Sequence, residues 1–257
     1  MSGTGTVSYD VEGAVAVVSL AKPELNTIDL GLLDGLLGAL NQARDDQGVR
    51  AVVITTALAK VFSAGLDLRL VLEGGSSVMR SLLQKLYIEL FDAQYHLGKP
   101  SIAAVRGVAR GGGMTIALSC DVVLAADDAS FGYPELNVGI LPGIHFVHLP
   151  RVVGRLRAFE LLFTGQPFDA ARAAQLGLVN RVVETAGLRR AATAMAEGFA
   201  AKPPAAMRLA RDAFMRINDA DYRRSIAGVV DTMAKMADSD ETRDALRRFL
   251  DRSKGER

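Results

Sequence analysis

The sequence has a single cysteine, Cys120, almost no net charge and no long apolar run. One thiol excludes an intramolecular disulfide and the thiolate clusters of structural zinc sites, and it fits a reducing compartment. The 30 Lys and Arg stand against 29 Asp and Glu, a formal charge of +1. Nothing in that balance calls for nucleic acid or an anionic membrane as partner. No stretch reaches the ~18 apolar residues of a membrane span, and the opening MSGTGTVSYD has no basic segment followed by an apolar one. The expectation is a cytoplasmic protein, neither secreted nor membrane-spanning. At 257 residues the chain can bury one large core, or a core domain with a small appendage.

The pattern along the chain reads as α/β. Residues 7 to 20 read as two strands around a turn at Glu12-Gly13. Leucines at 30, 32, 33, 36, 37 and 40 recur at helical spacing after Asn26 and Thr27, which offer cap oxygens. The short β-branched run Ala51 to Ile54 reads as a strand buried on both faces. A helix around 77 to 97, a strand Ser101 to Val105, a glycine turn, a helix Met114 to Ser119 and a strand Val122 to Ala125 continue the alternation. After Leu141-Pro142-Gly143 the segments 155 to 163, 169 to 176, 187 to 200, 204 to 217, 221 to 237 and 240 to 252 all favour helix, with Pro203-Pro204 as a junction.

Three segments carry chemistry. In Val61-Phe62-Ser63-Ala64-Gly65-Leu66-Asp67-Leu68, small residues let backbone N–H groups approach a ligand closely, although an ordinary turn has the same composition. Lys99 to Thr115 reads as a strand running into Gly111-Gly112-Gly113 and then a helix, whose N-terminus offers unpaired donors to developing negative charge. Close helix–strand packing would also use these glycines, but their spacing is wrong for a dinucleotide fingerprint and there is no Walker lysine. Phe131 to Gly143 places Glu135 in an apolar stretch, where desolvation would make it a general acid or base near neutrality. A loop glutamate satisfied by local N–H groups is the plainer alternative.

In this order, from Lys22-Pro23-Glu24-Leu25-Asn26 through these segments to Leu162-Phe163-Thr164-Gly165 and Ala173 to Asn180, the chain resembles the crotonase superfamily of enoyl-CoA hydratases and isomerases. The resemblance implies a spiral of strand–strand–helix units over residues 1–200. It further implies a helical C-terminal region, 201–257, used in assembly as a homotrimer or a dimer of trimers. It implies an acyl-CoA substrate of fatty acid metabolism, with coenzyme A entering as part of the substrate, and no bound cofactor or metal. Ala64 and Gly112 look like the two oxyanion-hole N–H donors. Ala64, Gly65, Leu66 and Asp67 match the loop along the CoA thioester, and Glu135 matches the second of the two hydratase glutamates.

The pattern is broken where the first glutamate should stand. Met114 and Thr115 occupy that place, and a hydroxyl can orient water but cannot act as a carboxylate base. The stretch Ile144-His145-Phe146-Val147-His148 replaces small residues of the family. As a metal pair, His145 and His148 lack an evident third ligand. As a proton-transferring group, His145 would stand in for the missing carboxylate, against a packing or helix-cap role. Three functions follow: an enoyl-CoA isomerase working through Glu135 alone, a hydratase or hydratase-lyase in which Thr115 or His145 orients water, and a non-catalytic acyl-CoA-binding protein.

Overall fold

The computed structural model describes residues 6–218 and 222–255. Strands β1 (Val7–Glu12) and β2 (Val15–Leu20) form an antiparallel hairpin that turns at Gly13, whose φ of +60° suits glycine. Helix α1 (Leu30–Asp45) follows, capped not by Asn26 or Thr27 but by Asp29, whose carboxylate accepts from the Leu32 N–H. Asn26 is instead fully buried.

Three similar units come next. The first runs β3 (Ala51–Thr56), β4 (Val61–Ser63), α2 (Leu68–Leu83), a π-helical turn (Gln84–Glu89) and α3 (Leu90–Tyr95). The second is β5 (Ser101–Val105), β6 (Val108–Arg110) and α4 (Gly112–Leu118). The third is β7 (Val122–Ala126), β8 (Ser130–Gly132) and a 3₁₀ turn (Glu135–Val138). The chain then forms α5 (Gly143–Val153), α6 (Arg155–Thr164), β9 (Phe168–Asp169), α7 (Ala170–Gln175) and β10 (Arg181–Val183). Helices α8 (Leu188–Ala200), α9 (Pro204–Asn218), α10 (Tyr222–Met236) and α11 (Asp240–Gly255) complete it.

In each unit the first strand joins a six-stranded sheet, β1-β2-β3-β5-β7-β10, and the second joins a four-stranded sheet, β4-β6-β8-β9. This is the expected spiral of strand–strand–helix units. The apolar runs are continuous because both faces of the large sheet are covered. Ala16, Val18, Val52 and Ile54 point into the core with α1, while Val15, Val17, Ala51 and Val53 meet Leu188, Ala192, Ala196 and Ala200 of α8. Arg211 of α9 donates to Asp121 at 2.9 Å and to the Gln94 carbonyl at 2.7 Å, fastening the helical end to the body.

Several elements differ from expectation. The helix placed around 77 to 97 begins nine residues earlier at Leu68, capped by Asp67, and is interrupted at Gly75 (φ +54°). At Gly75 the backbone leaves helical geometry, so α2 is two helical segments joined at a kink, with α10 and α11 packed on it. Helix α5 was not expected, and β9 and β10 interrupt a region read as wholly helical. Residue 221, where one expected helix began, lies outside the described residues. Among the described residues no helix is long and apolar enough to cross a membrane.

Candidate active site

Strands β4, β6 and β8 are neighbours and run parallel, so their C-terminal ends lie side by side. The loops that leave them, at 64–67, 111–113 and 133–135, therefore meet, as ligand-binding loops do at the carboxyl ends of parallel strands. They border a cavity of about 490 Å³.

One wall is main chain. In the first loop the Ala64 N–H donates to the Leu25 carbonyl at 3.0 Å, Gly65 N–H to the Ser63 hydroxyl at 3.2 Å, and Asp67 N–H to the Ile28 carbonyl at 2.9 Å. Only Leu66 N–H is left without an acceptor among the described residues of this loop. The Ala64 N–H, expected from sequence to serve a ligand, is thus already bonded within the fold, whereas that of Leu66 is open. The Gly112 N–H lies in the first turn of α4, where helix geometry supplies no partner. A Cβ on Gly112 would sit 3.7 Å from the Leu66 nitrogen and 2.8 Å from Ile28 Cδ1, so the two loops approach this closely only with glycine there. Asn26 props the first loop: its amide donates to the Phe62 carbonyl and to the Thr56 hydroxyl at 2.9 Å, and its own carbonyl accepts from Ser63. Ala64, Gly65, Leu66, Asp67 and Gly112 all line the cavity. The Asp67 carboxylate caps α2 through Arg69 N–H.

The facing wall is side chain. Glu135 lines the cavity with 13% of its side chain exposed. Burial raises its pKa to about 7, opposed by its own backbone N–H. Its Oε2 has no hydrogen-bond partner, while Oε1 lies 3.5 Å from His145 Nε2. Two donors and a carboxyl group that ionises near neutrality form a set able to stabilise an oxyanion and move a proton.

Thr115 and His145 do not line the cavity. Both are fully buried behind Glu135, with the Thr115 hydroxyl 3.5 Å from His145 Nε2. Thr115 is thus not placed to orient water, nor His145 to reach a substrate carbon. Burial holds the His145 pKa well below the usual histidine value, with His148 adding to the effect, and burial takes His148 down to about 4. Among the described residues no group of three His, Cys, Asp or Glu side chains could hold a metal.

Sequence reasoning missed much of the apolar lining. Tyr87, Val138, Ile140 and Met233 join it, as do Phe249 and Leu250 of α11. No local signal marks them, since they come from elements far apart in the chain. Thr242 of α11 donates to the Gly139 carbonyl at 2.8 Å and ties this helix to the turn that carries Glu135.

The sequence profile of a family described as enoyl-CoA hydratase/isomerase matches residues 10–256. The chain is 34% identical over 250 residues to a short-chain-enoyl-CoA hydratase of Clostridium acetobutylicum, covering 96% of this chain and 95% of that protein. Its fold is similar to that of an enoyl-CoA hydratase/isomerase from Xanthobacter autotrophicus Py2, with a TM-score of 0.86 and 31% identity over 96% of each chain. A carnitinyl-CoA dehydratase from Mycobacterium avium 104 is also similar, with a TM-score of 0.85 and 28% identity over 96% of this chain and 97% of that one.

Proposed function

The chain belongs to the enoyl-CoA hydratase/isomerase family and is an enzyme of the crotonase type, and on that premise we propose that it shifts a double bond within an enoyl-CoA thioester. The observation that carries this reading is the pairing of one buried carboxyl group, Glu135, with the free N–H groups of Leu66 and Gly112 across the cavity, while Thr115 is shut away from it. Glu135, ionised, takes a proton from C2 of a 3-enoyl thioester. The electron pair moves into a dienolate whose charge rests on the thioester oxygen. One well-placed donor is worth about 10²- to 10³-fold in rate at such an oxygen. Glu135, now protonated, returns the proton to C4 and leaves the 2-enoyl product. A pKa of about 7 suits a group that must be base and then acid in one turnover.

Hydration is the second reading, favoured by the hydratase and dehydratase names of the similar proteins. Glu135 would then activate water with no help from Thr115.

Proton NMR of 2-enoyl- and 3-enoyl-CoA thioesters in deuterated buffer, with wild type beside Glu135→Gln, separates the two. The expected result is double-bond migration with deuterium at C2 and C4, slowed about 10²- to 10⁴-fold in the variant. A 3-hydroxyacyl product would replace isomerisation by hydration. Wild-type rates in Glu135→Gln would remove Glu135 from either mechanism.

A further inference from the structure

Two adjoining hollows share no residue with the catalytic cavity. They lie where the end of α1, the loop 95–99 and the start of α9 meet, have volumes of about 290 and 420 Å³, and share Gln47, Gly98, Lys99 and Arg208. Arg50, Lys99, Lys202 and Arg208 line the first, and among the described residues no Asp or Glu does. Arg44 and Arg216 join the second, where Asp212 is the one carboxylate. In a chain whose formal charge is +1, six Lys and Arg around one carboxylate are a local excess of positive charge. Such a cluster repels itself and sets a positive field over the hollow it lines.

These cations differ in what they are free to bind. Lys99 gives its ammonium hydrogens to the carbonyls of Ala43, Arg44 and Asp46, so it fastens the loop to the end of α1 and has no donor left. Arg44 is paired with Asp45, and the Asp46 carboxylate accepts from the Gly48 N–H at 2.7 Å. Arg50 spends one N–H on the Ala200 carbonyl at 3.1 Å and keeps the rest of its fork. The side chains of Lys202 and Arg208 have neither an acceptor nor an ion pair among the described residues. Arg208 is nevertheless placed: its Cγ and Cδ would lie 3.5 and 3.6 Å from a Cβ on Gly98, so its stem follows the loop. The bonds of Arg211 to Asp121 and to the Gln94 carbonyl hold α9 beside that loop. The walls are thus set before any ligand arrives.

We propose that the two hollows form a second binding site, for a small molecule carrying a diphosphate, with one phosphoryl group held by Arg50, Lys202 and Arg208 and the other reaching toward Arg216. A guanidinium fork matches the oxygens of a phosphoryl group, and a freely rotating ammonium adds charge beside it. Arg208 and Arg216 stand two turns apart on α9, about 12 Å along the axis, further than a single phosphoryl group spans. The diphosphate is either the free inorganic ion or part of a nucleotide. The site is independent of the reaction proposed for Glu135.

The test is calorimetric titration of the full chain with inorganic pyrophosphate, ADP and inorganic phosphate in low-salt buffer. Wild type is compared with Lys202→Glu, Arg208→Glu and Arg157→Glu, the last an exposed position on α6 outside both hollows. Wild type is expected to bind one pyrophosphate per chain and inorganic phosphate more weakly. Lys202→Glu and Arg208→Glu should each weaken pyrophosphate about 10- to 100-fold, the worth of a lost charge-assisted hydrogen bond. Arg157→Glu should stay within about twofold of wild type. ADP binding more tightly than pyrophosphate would assign the diphosphate to a nucleotide, and the reverse order to the free ion. If Arg208→Glu does not fold, Lys202→Glu, which precedes α9, carries the test. Absence of pyrophosphate binding by wild type overturns the inference. So does affinity unchanged in the folded hollow variants, which would put the ion elsewhere, or equal loss in Arg157→Glu, which would make it a general effect of charge.

Discussion

The two walls of the cavity are built from different material. The wall at 64–67 and 111–113 presents backbone N–H groups, and its shape depends on glycines and on hydrogen bonds from Asn26, Ser63 and Ile28. The wall at 133–148 presents side chains, with Glu135 buried and its Oε1 close to Gly111 and to His145 Nε2. A backbone donor is indifferent to the side chain it carries, so the first wall can keep its function while residue types change. A side-chain wall cannot. His145 and His148 of this wall stand where the sequence reading expected small residues, while Thr115, in place of the expected carboxylate, lies on α4 behind it.

The sharpest way to break this comparison is to remove a donor without touching a side-chain partner. Leu66→Pro deletes the free N–H and is expected to lower kcat about 10²- to 10³-fold, while Leu66→Ala, which keeps it, stays within about threefold. Steady-state kinetics on folded variants decides, and equal rates for wild type and Leu66→Pro would return the donor role to another group.

A smaller effect tests the side-chain wall through pH. Glu135 ionises at about 7 in the folded chain against an ordinary 4.5, so between these values the folded state holds a proton that the unfolded state has released. The stability this contributes is full below about 4.5 and is lost as pH rises through 7. At about 1.4 kcal/mol per pKa unit the loss amounts to ~3 kcal/mol. His148, depressed to about 4, acts in the opposite sense, contributing stability above 6.5 that is lost as pH falls through 4. Comparing wild type with Glu135→Gln cancels it. Urea unfolding at pH 4.5 and 8 should show wild type losing ~3 kcal/mol relative to the variant; parallel losses would mean that Glu135 is solvated.

The smallest expected change concerns the main-chain wall's packing. A Cβ on Gly113 would lie 2.5 Å from the Ser63 carbonyl oxygen, which is backbone and cannot step aside cheaply. Gly113→Ala is expected to cost ~1–3 kcal/mol in denaturant unfolding. A variant as stable as wild type would show that the loops at 63 and 113 move apart freely.

Much of the scaffold was legible along the chain. The runs 15–20, 51–56, 101–105 and 122–126 are mostly apolar and do not alternate, which marks strands covered on both faces, and α1 and α8 carry clear helical periods. Strands β4, β6 and β8 have three residues each, too few for a period to emerge. The helix expected from 77 is the segment that follows the kink at Gly75, and only the short segment from Leu68 before the kink went unread. In the site, Glu135 and Gly112 could be named from their motifs. Leu66 could not be told from Ala64, since both sit in one small-residue loop and differ only in what their N–H groups meet.

Alone, then, the sequence determined the alternation of strands and helices, the glycines of the main-chain wall and the presence of one carboxylate in an apolar stretch. These are properties of hydrophobic period, backbone freedom and residue type, all of them local. Tertiary structure decided which N–H stays free, that Thr115 and His145 stand behind Glu135 rather than in the cavity, and that α11 closes over it. Each of these depends on distant partners, Leu25 for Ala64, Gly111 for His145 and Gly139 for Thr242, which no local pattern of residues encodes.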